Sequence, residues 1–249
     1  MEAMNRKPFQ GIWNIIRFNW HFYVIALLLL AAGVCFRQYF PVLLLLWLLI
    51  VSLLLSLTVS WYIYDASGLY DLQWLDIPEN GARLLMVNIN AGFDETSHLL
   101  AGKYPDARWK VFDFYDPEKH TEVSIRRARK AYAAYPGTQQ MRTDGIPLDT
   151  ASADVIFLLL AAHEIRDHGE RSGFFTELAR GLHEQGKIIV LEHLRDTRNF
   201  IAYNIGFLHF FSREQWQQTF EASGLRVTAE QKITPFLSAF ILQKNGTAY

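Results

Sequence analysis

A length of 249 residues, a hydrophobic share of 51% and a formal net charge of −1 set the first limits on this chain. The near-neutral charge argues against nucleic acid as the main partner, because nucleic acids are bound by strongly basic surfaces. A single cysteine, Cys35, cannot form a disulfide within the chain and fits a reducing compartment. The hydrophobic residues are concentrated near the N-terminus, and beyond Tyr64 the composition is that of an ordinary globular protein.

The N-terminal part contains two long stretches without Asp, Glu, Lys or Arg, at 18–36 and 38–64. A helix of roughly 20 residues crosses a bilayer core, so each stretch has about the required length. A cleaved signal peptide would have one shorter apolar core. Aromatic residues that favour the membrane interface lie near the ends of the stretches: Trp20, Tyr23, Tyr39, Trp61, Tyr62 and Tyr64. We predict that 1–64 is a membrane anchor with two transmembrane helices; a buried helical hairpin of a soluble protein is the alternative.

The basic residues beside these stretches predict the orientation of the anchor. Arg6, Lys7 and Arg17 precede the first stretch, whereas Arg37 alone lies between the two. Because basic residues are enriched on the cytoplasmic side, both the N-terminus and the domain after the second span are expected there. The sequence thus predicts an integral protein of an inner or plasma membrane, with the lipid bilayer as a partner.

The segment 65–82 is predicted to be an acidic juxtamembrane linker that ends in the turn signal Pro78-Glu79-Asn80-Gly81. It is expected to stand off the membrane or to pack on the domain that follows at 83–249. In that domain, short apolar runs typical of buried strands alternate with helical spacing at 117–133 and 170–183. The runs lie at 84–89, 109–114, 155–160 and 187–192.

The end of the domain has clear start and stop signals. Gly186 is expected to stop the second helix, and Ser212 opens a capping-box helix that Gly224 ends. Two last strands are expected near 225–234 and 236–244, with a tight reversal at Pro235. This order predicts an α/β fold: a Rossmann-like, doubly wound, mostly parallel sheet with an antiparallel edge strand, preceded by the two-helix transmembrane hairpin.

Several blocks of the domain, in their order and spacing, resemble class I S-adenosylmethionine-dependent methyltransferases of the type 11 kind. They are GIPLDTASADVIFLLLAAHEI at 145–165, FFTELARGLHEQGKIIVLE at 174–192 and FSREQWQQTFEASGL at 211–225. The resemblance covers about 84–244, which is nearly all of the globular part. It implies S-adenosylmethionine as the cofactor, which would bind beyond the carboxyl ends of the strands.

The resemblance also implies the cofactor-binding residues. The family's glycine-rich loop corresponds to VNINAGFDE at 87–95, where asparagine and aspartate replace most of the expected residues. The implied set is Asn88, Asn90, Gly92 and Asp94 in this loop, Asp113 after the second strand for the ribose, and Asp144 for the adenine. Asp116 fits a helix cap instead, and a solvated loop aspartate remains the alternative for Asp144.

Candidate catalytic residues follow the fourth and fifth strands, where ligands bind in such sheets. They are His163, Glu192 and His193. His209, in the aromatic segment 200–211, is a further candidate expected to face the same cleft. A structural histidine bonded to the backbone is the alternative for His163. The aromatic segment 200–211 could form a lid that suits an apolar acceptor, or it could be core packing. The spacing of the histidines and the lack of further cysteines predict no metal site.

The sequence therefore predicts a membrane-anchored S-adenosylmethionine-dependent methyltransferase that acts on a small hydrophobic or lipid-like acceptor at the cytoplasmic face. The altered loop leaves open a non-catalytic module of the same fold that binds or scaffolds partners at the membrane. A nicotinamide-dependent enzyme is disfavoured, because the loop lacks the three-glycine pattern of dinucleotide-binding proteins.

Overall fold

The computed structural model describes residues 6–78, 83–120 and 122–246, so the predicted turn at 79–81 lies outside the described residues. Its centre is a seven-stranded sheet in the order β3-β2-β1-β4-β5-β7-β6. The strands are β1 (Leu85–Asn90), β2 (Arg108–Asp113), β3 (Gln139–Gln140), β4 (Ala153–Leu159), β5 (Leu182–His193), β6 (Leu225–Thr234) and β7 (Leu237–Lys244).

The sheet confirms the predicted mostly parallel, doubly wound architecture. Strands β3, β2, β1, β4 and β5 pair in parallel, and every residue of β1 is buried, as expected for a strand covered on both faces. Strand β7 runs antiparallel to both β5 and β6 after the reversal at Pro235. The antiparallel pairing expected at this edge is therefore present, with β6 as the outermost strand.

Eight α-helices accompany the sheet in the described part of the chain. They are α1 (Gln10–Phe18), α2 (Trp20–Cys35), α3 (Phe40–Trp61), α4 (Ser97–Lys103), α5 (Val123–Ala131), α6 (His168–Gly181), α7 (Thr197–Tyr203) and α8 (Arg213–Ala222). The predicted capping box at the start of α8 is present, with Ser212 and Gln215 bonding each other's backbone.

Two predicted helix boundaries are wrong. Helix α6 ends at Gly181 rather than near Gly186, which lies inside β5. A Cβ at Gly186 would lie 3.0 Å from the backbone oxygen of Ala153, so glycine permits the close approach of β5 to β4. Asp116 does not cap the next helix, since α5 begins only at Val123. Its carboxylate instead accepts a hydrogen bond from the backbone N–H of Glu118 within a turn.

Two hydrophobic layers hold the helices on the sheet. On one face, Phe174 and Phe175 of α6 and Trp216 and Phe220 of α8 are fully buried in a single core cluster. On the other face, a second cluster combines Leu100 of α4 with apolar residues of the segment after α3, including Leu72, Leu75 and Ile77. The predicted linker thus contributes to the core of the globular part.

The apolar N-terminal helices project from this unit. One continuous helical stretch, Phe40–Asp71, is long and apolar enough to cross a membrane, with a mean hydropathy of 2.9 and only 6% of its most apolar window buried. Helices α1 and α2 lie at an angle of 71° to each other, and together they would form a second membrane span if the bent pair acts as a single span. Core helices of soluble proteins can share such length and composition, but they are mostly buried, whereas these side chains are exposed.

Helix α1 lies against the globular part rather than continuing the direction of α2. Its first backbone N–H groups, at Gly11 and Ile12, each donate to the carboxylate of Asp65 over 2.8 Å. Asn14 accepts a hydrogen bond from the hydroxyl of Tyr132, which follows α5. These bonds attach the N-terminal helix both to the end of the apolar stretch and to the domain.

Candidate functional site

The carboxyl ends of the parallel strands form one edge of the sheet, and the candidate site lies there. Strands β1 and β4 are neighbours, although the chain reaches β4 only after passing through β2 and β3 on the other side of β1. In doubly wound sheets this reversal of strand order opens a crevice in which ligands bind. The loop after β1 and the ends of β2, β4 and β5 therefore surround one region.

The loop after β1 is held by its own polar side chains. Asn90 accepts a hydrogen bond from the backbone N–H of Gly92 over 2.9 Å, and Gly92 has the positive φ of 91° that glycine tolerates. Asp94 accepts from the backbone N–H groups of Thr96 and Ser97, both at 2.9 Å, which fixes the start of α4. Asn88 donates to the hydroxyl of Ser97 over 2.8 Å. The polar side chains of Asn88, Asn90 and Asp94 thus hold this loop in place.

Three buried polar atoms of the loop have no hydrogen-bond partner among the residues that the structure describes. They are Oδ1 of Asn88, Nδ2 of Asn90 and Oδ2 of Asp94. Leaving a buried polar atom unpaired is costly, so these atoms are able to hydrogen-bond a polar ligand or water. Among the sequence-predicted cofactor residues, these three therefore keep spare hydrogen-bonding capacity.

Asp113, the predicted ribose ligand, is buried at the end of β2 and already has protein partners. Its carboxylate accepts hydrogen bonds from the backbone N–H of Tyr115 over 2.8 Å and from Nε2 of Gln140 over 2.6 Å. It also forms an ion pair with Nη1 of Arg129, a residue of α5. The same arginine lies against Gly92, where an added Cβ would come within 2.7 Å of its Cδ. Arg129 thus occupies the space between loop and carboxylate.

The residues of this crevice fit an adenosyl cofactor once the Arg129 side chain moves. Gly92 leaves the backbone open to close approach, Asn90 offers an unpaired donor, and Asp113 is a carboxylate at the position that binds ribose hydroxyls in related sheets. The Arg129 side chain is 32% exposed, so it has room to rotate into solvent.

Asp144 lies apart from this group, on an exposed loop. Its two carboxylate oxygens accept hydrogen bonds from Nε and Nη2 of Arg142 over 2.8 and 2.7 Å. Hydrogen bonding to Arg142 lowers the pKa of Asp144 to about 2. Its contacts are those of a solvated loop aspartate, the alternative that the sequence left open.

Beyond β4, two of the candidate catalytic residues, His163 and Glu192, are in direct contact. Nδ1 of His163 lies 2.7 Å from the Glu192 carboxylate, which also accepts the backbone N–H of His163 over 3.1 Å. Because a carboxylate only accepts, Nδ1 carries the proton and Nε2 faces away from Glu192. Burial alone would lower the pKa of His163, but the carboxylates of Glu192 and Glu164 outweigh it and raise the pKa to about 10.

His209 joins the same cluster from a distant part of the chain. Its ring centroid lies 5.1 Å from that of His163, and its Nδ1 lies 3.3 Å from the carboxylate of Glu122. The Nε2 atoms of both histidines face one oxygen of Glu164, at 3.4 Å for His163 and 4.0 Å for His209. His163, Glu164 and His209 thus form a group whose ligand atoms lie within 4.8 Å of one another.

Two arginines hold the segment that carries His209. Arg166 donates from Nη1 to the backbone oxygens of both His163 and His209. Arg195 donates to the backbone oxygens of Leu208 and Phe210 over 2.8 and 2.7 Å. Since these carbonyls belong to consecutive residues, the arginines fix the backbone on both sides of the His209 ring.

His193 points away from this cluster. Successive residues of a strand face opposite sides of the sheet, so Glu192 faces His163 while His193 faces the other layer. There its Nε2 lies 2.9 Å from the hydroxyl of Tyr64, and its Nδ1 lies 3.1 Å from Oδ1 of Asn199. Burial lowers the pKa of His193 to about 4, so the ring is neutral at ordinary pH. These contacts connect β5 to the end of the apolar helical stretch.

Two contributions to the site were missed in the sequence analysis. Arg129 was considered only as part of a basic helix end, and α1 was treated as a basic flank of the first span. In the structure Phe18 of α1 packs edge-on against Phe93 of the loop and against Tyr132, with ring centroids 5.7 and 6.2 Å apart. The apolar spacing of 10–18 could have indicated an amphipathic helix with a surface to cover.

Comparisons with known proteins find no matching family model and no matching curated protein. Solved structures do match. An S-adenosylmethionine-dependent methyltransferase from Aquifex aeolicus has 16% identity and a TM-score of 0.49, with 72% of this chain and 93% of that chain covered. An O-methyltransferase from neocarzinostatin biosynthesis, solved with S-adenosylhomocysteine and 1,4-dihydroxy-2-naphthoic acid, has 17% identity and a TM-score of 0.48. That match covers 78% of this chain and 56% of the other.

A third similar structure is the complex of LepI with S-adenosylmethionine, at 15% identity and a TM-score of 0.48. The match covers 70% of this chain and 46% of the other, so this chain spans about half the length of that protein.

Proposed function

We propose that this chain is a membrane-anchored S-adenosylmethionine-dependent methyltransferase that acts on a small hydrophobic or lipid-like acceptor at the cytoplasmic face. One observation carries the proposal: the loop around Gly92, the Asp113 carboxylate and the His163–Glu192 pair share the carboxyl edge of one doubly wound sheet. This edge is where such sheets bind their ligands.

The cofactor side of the site would be formed by Asn90, Gly92 and Asp113. When bound, S-adenosylmethionine supplies an electrophilic methyl group. The chain's own residues would bind and orient: Asp113 accepts the ribose hydroxyls, Gly92 admits the backbone to close contact, and Asn90 donates from its unpaired Nδ2. Methyl transfer is an in-line displacement, so this positioning is the main catalytic requirement.

The acceptor side would be formed by the cluster around His163. His163 carries a proton on Nδ1 toward Glu192 and presents Nε2 to the outside of that pair. Because the pKa of His163 is raised to about 10, the ring is protonated on both nitrogens at ordinary pH, so Nε2–H can donate a hydrogen bond that holds and orients an acceptor oxygen. His209 and Glu164 line the same position. The roles of His163, Glu192 and His209 proposed from the sequence are therefore kept, whereas His193 becomes a structural residue.

Exposed apolar side chains support an acceptor that comes from the bilayer. Phe200 and Ile201 of α7 are exposed, and so are Ile205 and Leu208 in the turns that lead to His209. The same segment is attached to the apolar helix α3, since Nδ2 of Asn204 donates to the hydroxyl of Ser52 over 2.7 Å. Exposed apolar patches of this kind mark contacts with lipids or with apolar ligands.

Exposed apolar side chains also support the proposed membrane anchor. The side chains of α2 and α3 are apolar and mostly exposed, a combination that is unfavourable in water and favourable in lipid. The basic residues before α2 support a cytoplasmic position of the globular part, because such residues are enriched on that side of a membrane.

The proposal is tested with the full chain in lipid nanodiscs. Isothermal titration with S-adenosylhomocysteine should show binding, and Asp113→Asn should weaken it by about 10-fold, since a charged acceptor of two hydroxyls is lost. Asp116→Asn, which changes a turn residue after the same strand, is the matched control and should bind normally. No heat at millimolar ligand with a folded protein would reject the cofactor.

A second function, a non-catalytic module of the same fold tethered to the membrane, is favoured by the Arg129–Asp113 ion pair in the crevice. Transfer of a radiolabelled methyl group into lipid extracts separates the two proposals. Binding of S-adenosylhomocysteine without any transfer to lipid or small aromatic acceptors would favour the module.

A further inference from the structure

We propose that His163, Glu164 and His209 bind a divalent first-row transition metal ion. The proposal goes beyond the methyltransferase function and does not depend on it. Two imidazole nitrogens and one carboxylate are a common ligand set of open catalytic sites for zinc and for non-haem iron. In this chain the three side chains come from two segments that lie far apart in the sequence and meet at the edge of the sheet.

The orientation of both histidines fits metal binding. Nδ1 of His163 is bonded to Glu192, and Nδ1 of His209 lies 3.3 Å from Glu122, so each ring has a carboxylate behind it. Both Nε2 atoms point toward Glu164. Metal-binding histidines usually donate their second ring N–H to such an outer carboxylate, which fixes the ring and makes the free nitrogen a better ligand.

Glu164 supplies an independent observation. Its residue is only 3% exposed, and its Oε2 atom has no hydrogen-bond partner in the described part of the chain. A buried carboxylate oxygen without a donor is costly, and a cation would satisfy it. Glu164 therefore faces both histidines with Oε1 and keeps a second buried carboxylate oxygen, Oε2, without a protein donor among the described residues.

The distances permit coordination after small side-chain rotations. Bonds of about 2.0–2.2 Å place neighbouring ligand atoms of a tetrahedral site roughly 3–4 Å apart. The separations of 3.4 and 4.0 Å from Glu164 lie in that range. The backbone of both histidines is already held by Arg166, so only the rings need to adjust.

Three protein ligands leave at least one position for water or for an oxygen of a bound molecule. A metal there would lower the pKa of a coordinated hydroxyl. It would replace the proton on Nε2 of His163, which is released to solvent on binding, and the ion would then activate the oxygen. The ligand class for this position is an oxygen donor such as water, a phenol or an alcohol.

The test uses the full chain in detergent, purified without a histidine tag, stripped with a chelator and titrated with Co²⁺ in the absence of any cofactor. We expect one bound ion per chain, visible absorption from Co²⁺, and displacement by Zn²⁺. Glu164→Gln and His209→Ala should each weaken binding by about 100-fold or more. Glu192→Gln should weaken it by about 10- to 100-fold, as removal of an outer carboxylate does.

The matched control is His183→Ala, which removes an exposed histidine outside the cluster and should leave binding unchanged. Glu164→Gln preserves shape, and His209 is partly exposed, so thermal unfolding should show that both variants fold. Normal Co²⁺ affinity in both variants, or no binding to the unmodified chain at micromolar Co²⁺, overturns the proposal. Because no cofactor is present, a failure to bind S-adenosylhomocysteine does not affect this result.

Discussion

Replacing Arg129 with alanine should tighten the binding of S-adenosylhomocysteine. In the proposed binding mode, the ligand must separate Arg129 from Asp113 before the carboxylate can accept the ribose hydroxyls. A hydrogen bond to a charged group contributes about 1.5–3 kcal/mol. Because 32% of the Arg129 side chain is exposed, solvent screens the ion pair, and its contribution should lie in the lower part of this range, at about 1.5–2 kcal/mol. At 1.36 kcal/mol per tenfold, this corresponds to about 10- to 30-fold.

The assay is calorimetric titration of the full chain in nanodiscs, with Arg126→Ala as the matched control. Arg126 lies on the same helix and is exposed, so its removal changes the charge but not the crevice. The Arg129→Ala variant should also unfold more easily, because Asp113 loses a charged partner while keeping Gln140 and the backbone N–H of Tyr115. Weaker binding in Arg129→Ala with unchanged binding in the control would show that Arg129 holds the ligand rather than excluding it.

Three further predictions concern stability. Burial lowers the pKa of His193 to about 4, below its ordinary value of 6.5, so the unfolded chain binds the extra proton first as the pH falls. The free energy of unfolding should therefore fall between about pH 6.5 and 4, by at most about 3 kcal/mol. In thermal unfolding, His193→Gln should show a weaker dependence of stability on pH over this range, and an equal dependence in both proteins contradicts the prediction. Phe175→Ala should cost about 3–5 kcal/mol in denaturant unfolding, because the ring is fully buried against Trp216 and Phe220, and Phe175→Leu should cost less. Ser212→Ala should cost about 1 kcal/mol through loss of the capping box, while Ser212→Thr should retain most of it, so equal losses would refute the capping role.

The sheet was predictable because strands that are buried on both faces consist of short, nearly continuous apolar runs, which are visible in the sequence. The run at 84–89 became the buried strand β1, and the reversal at Pro235 became the β6–β7 pair. The end of α6 was not predicted correctly, because Gly186 resembles the glycine that commonly ends a helix. Its actual reason lies in the neighbouring strand, where Ala153 leaves no room for a side chain. A contact between strands cannot be read from one local window.

The site was predicted in part, for a similar reason. His163 and Glu192 were selected by their positions after strands and His209 as part of an aromatic segment expected to face the same cleft, and the structure brings the three side chains together. The spacing argument against a metal compared histidines along the chain, whereas His163 and His209 meet only through the fold. The pairing of Arg129 with Asp113 was missed because a helix and a strand end must first be placed before their charges can be compared.

The position of helix α1 has a practical consequence for the choice of protein to study. Its residues Gly11, Ile12 and Asn14 are bonded to Asp65 and Tyr132, and Phe18 packs on the loop beside Gly92. A truncated protein that starts after the apolar helices would lack this wall, together with the Ser52 hydroxyl that holds Asn204. A soluble fragment is therefore a poor substitute, and inactivity in such a fragment carries no weight against the function proposed for the full chain.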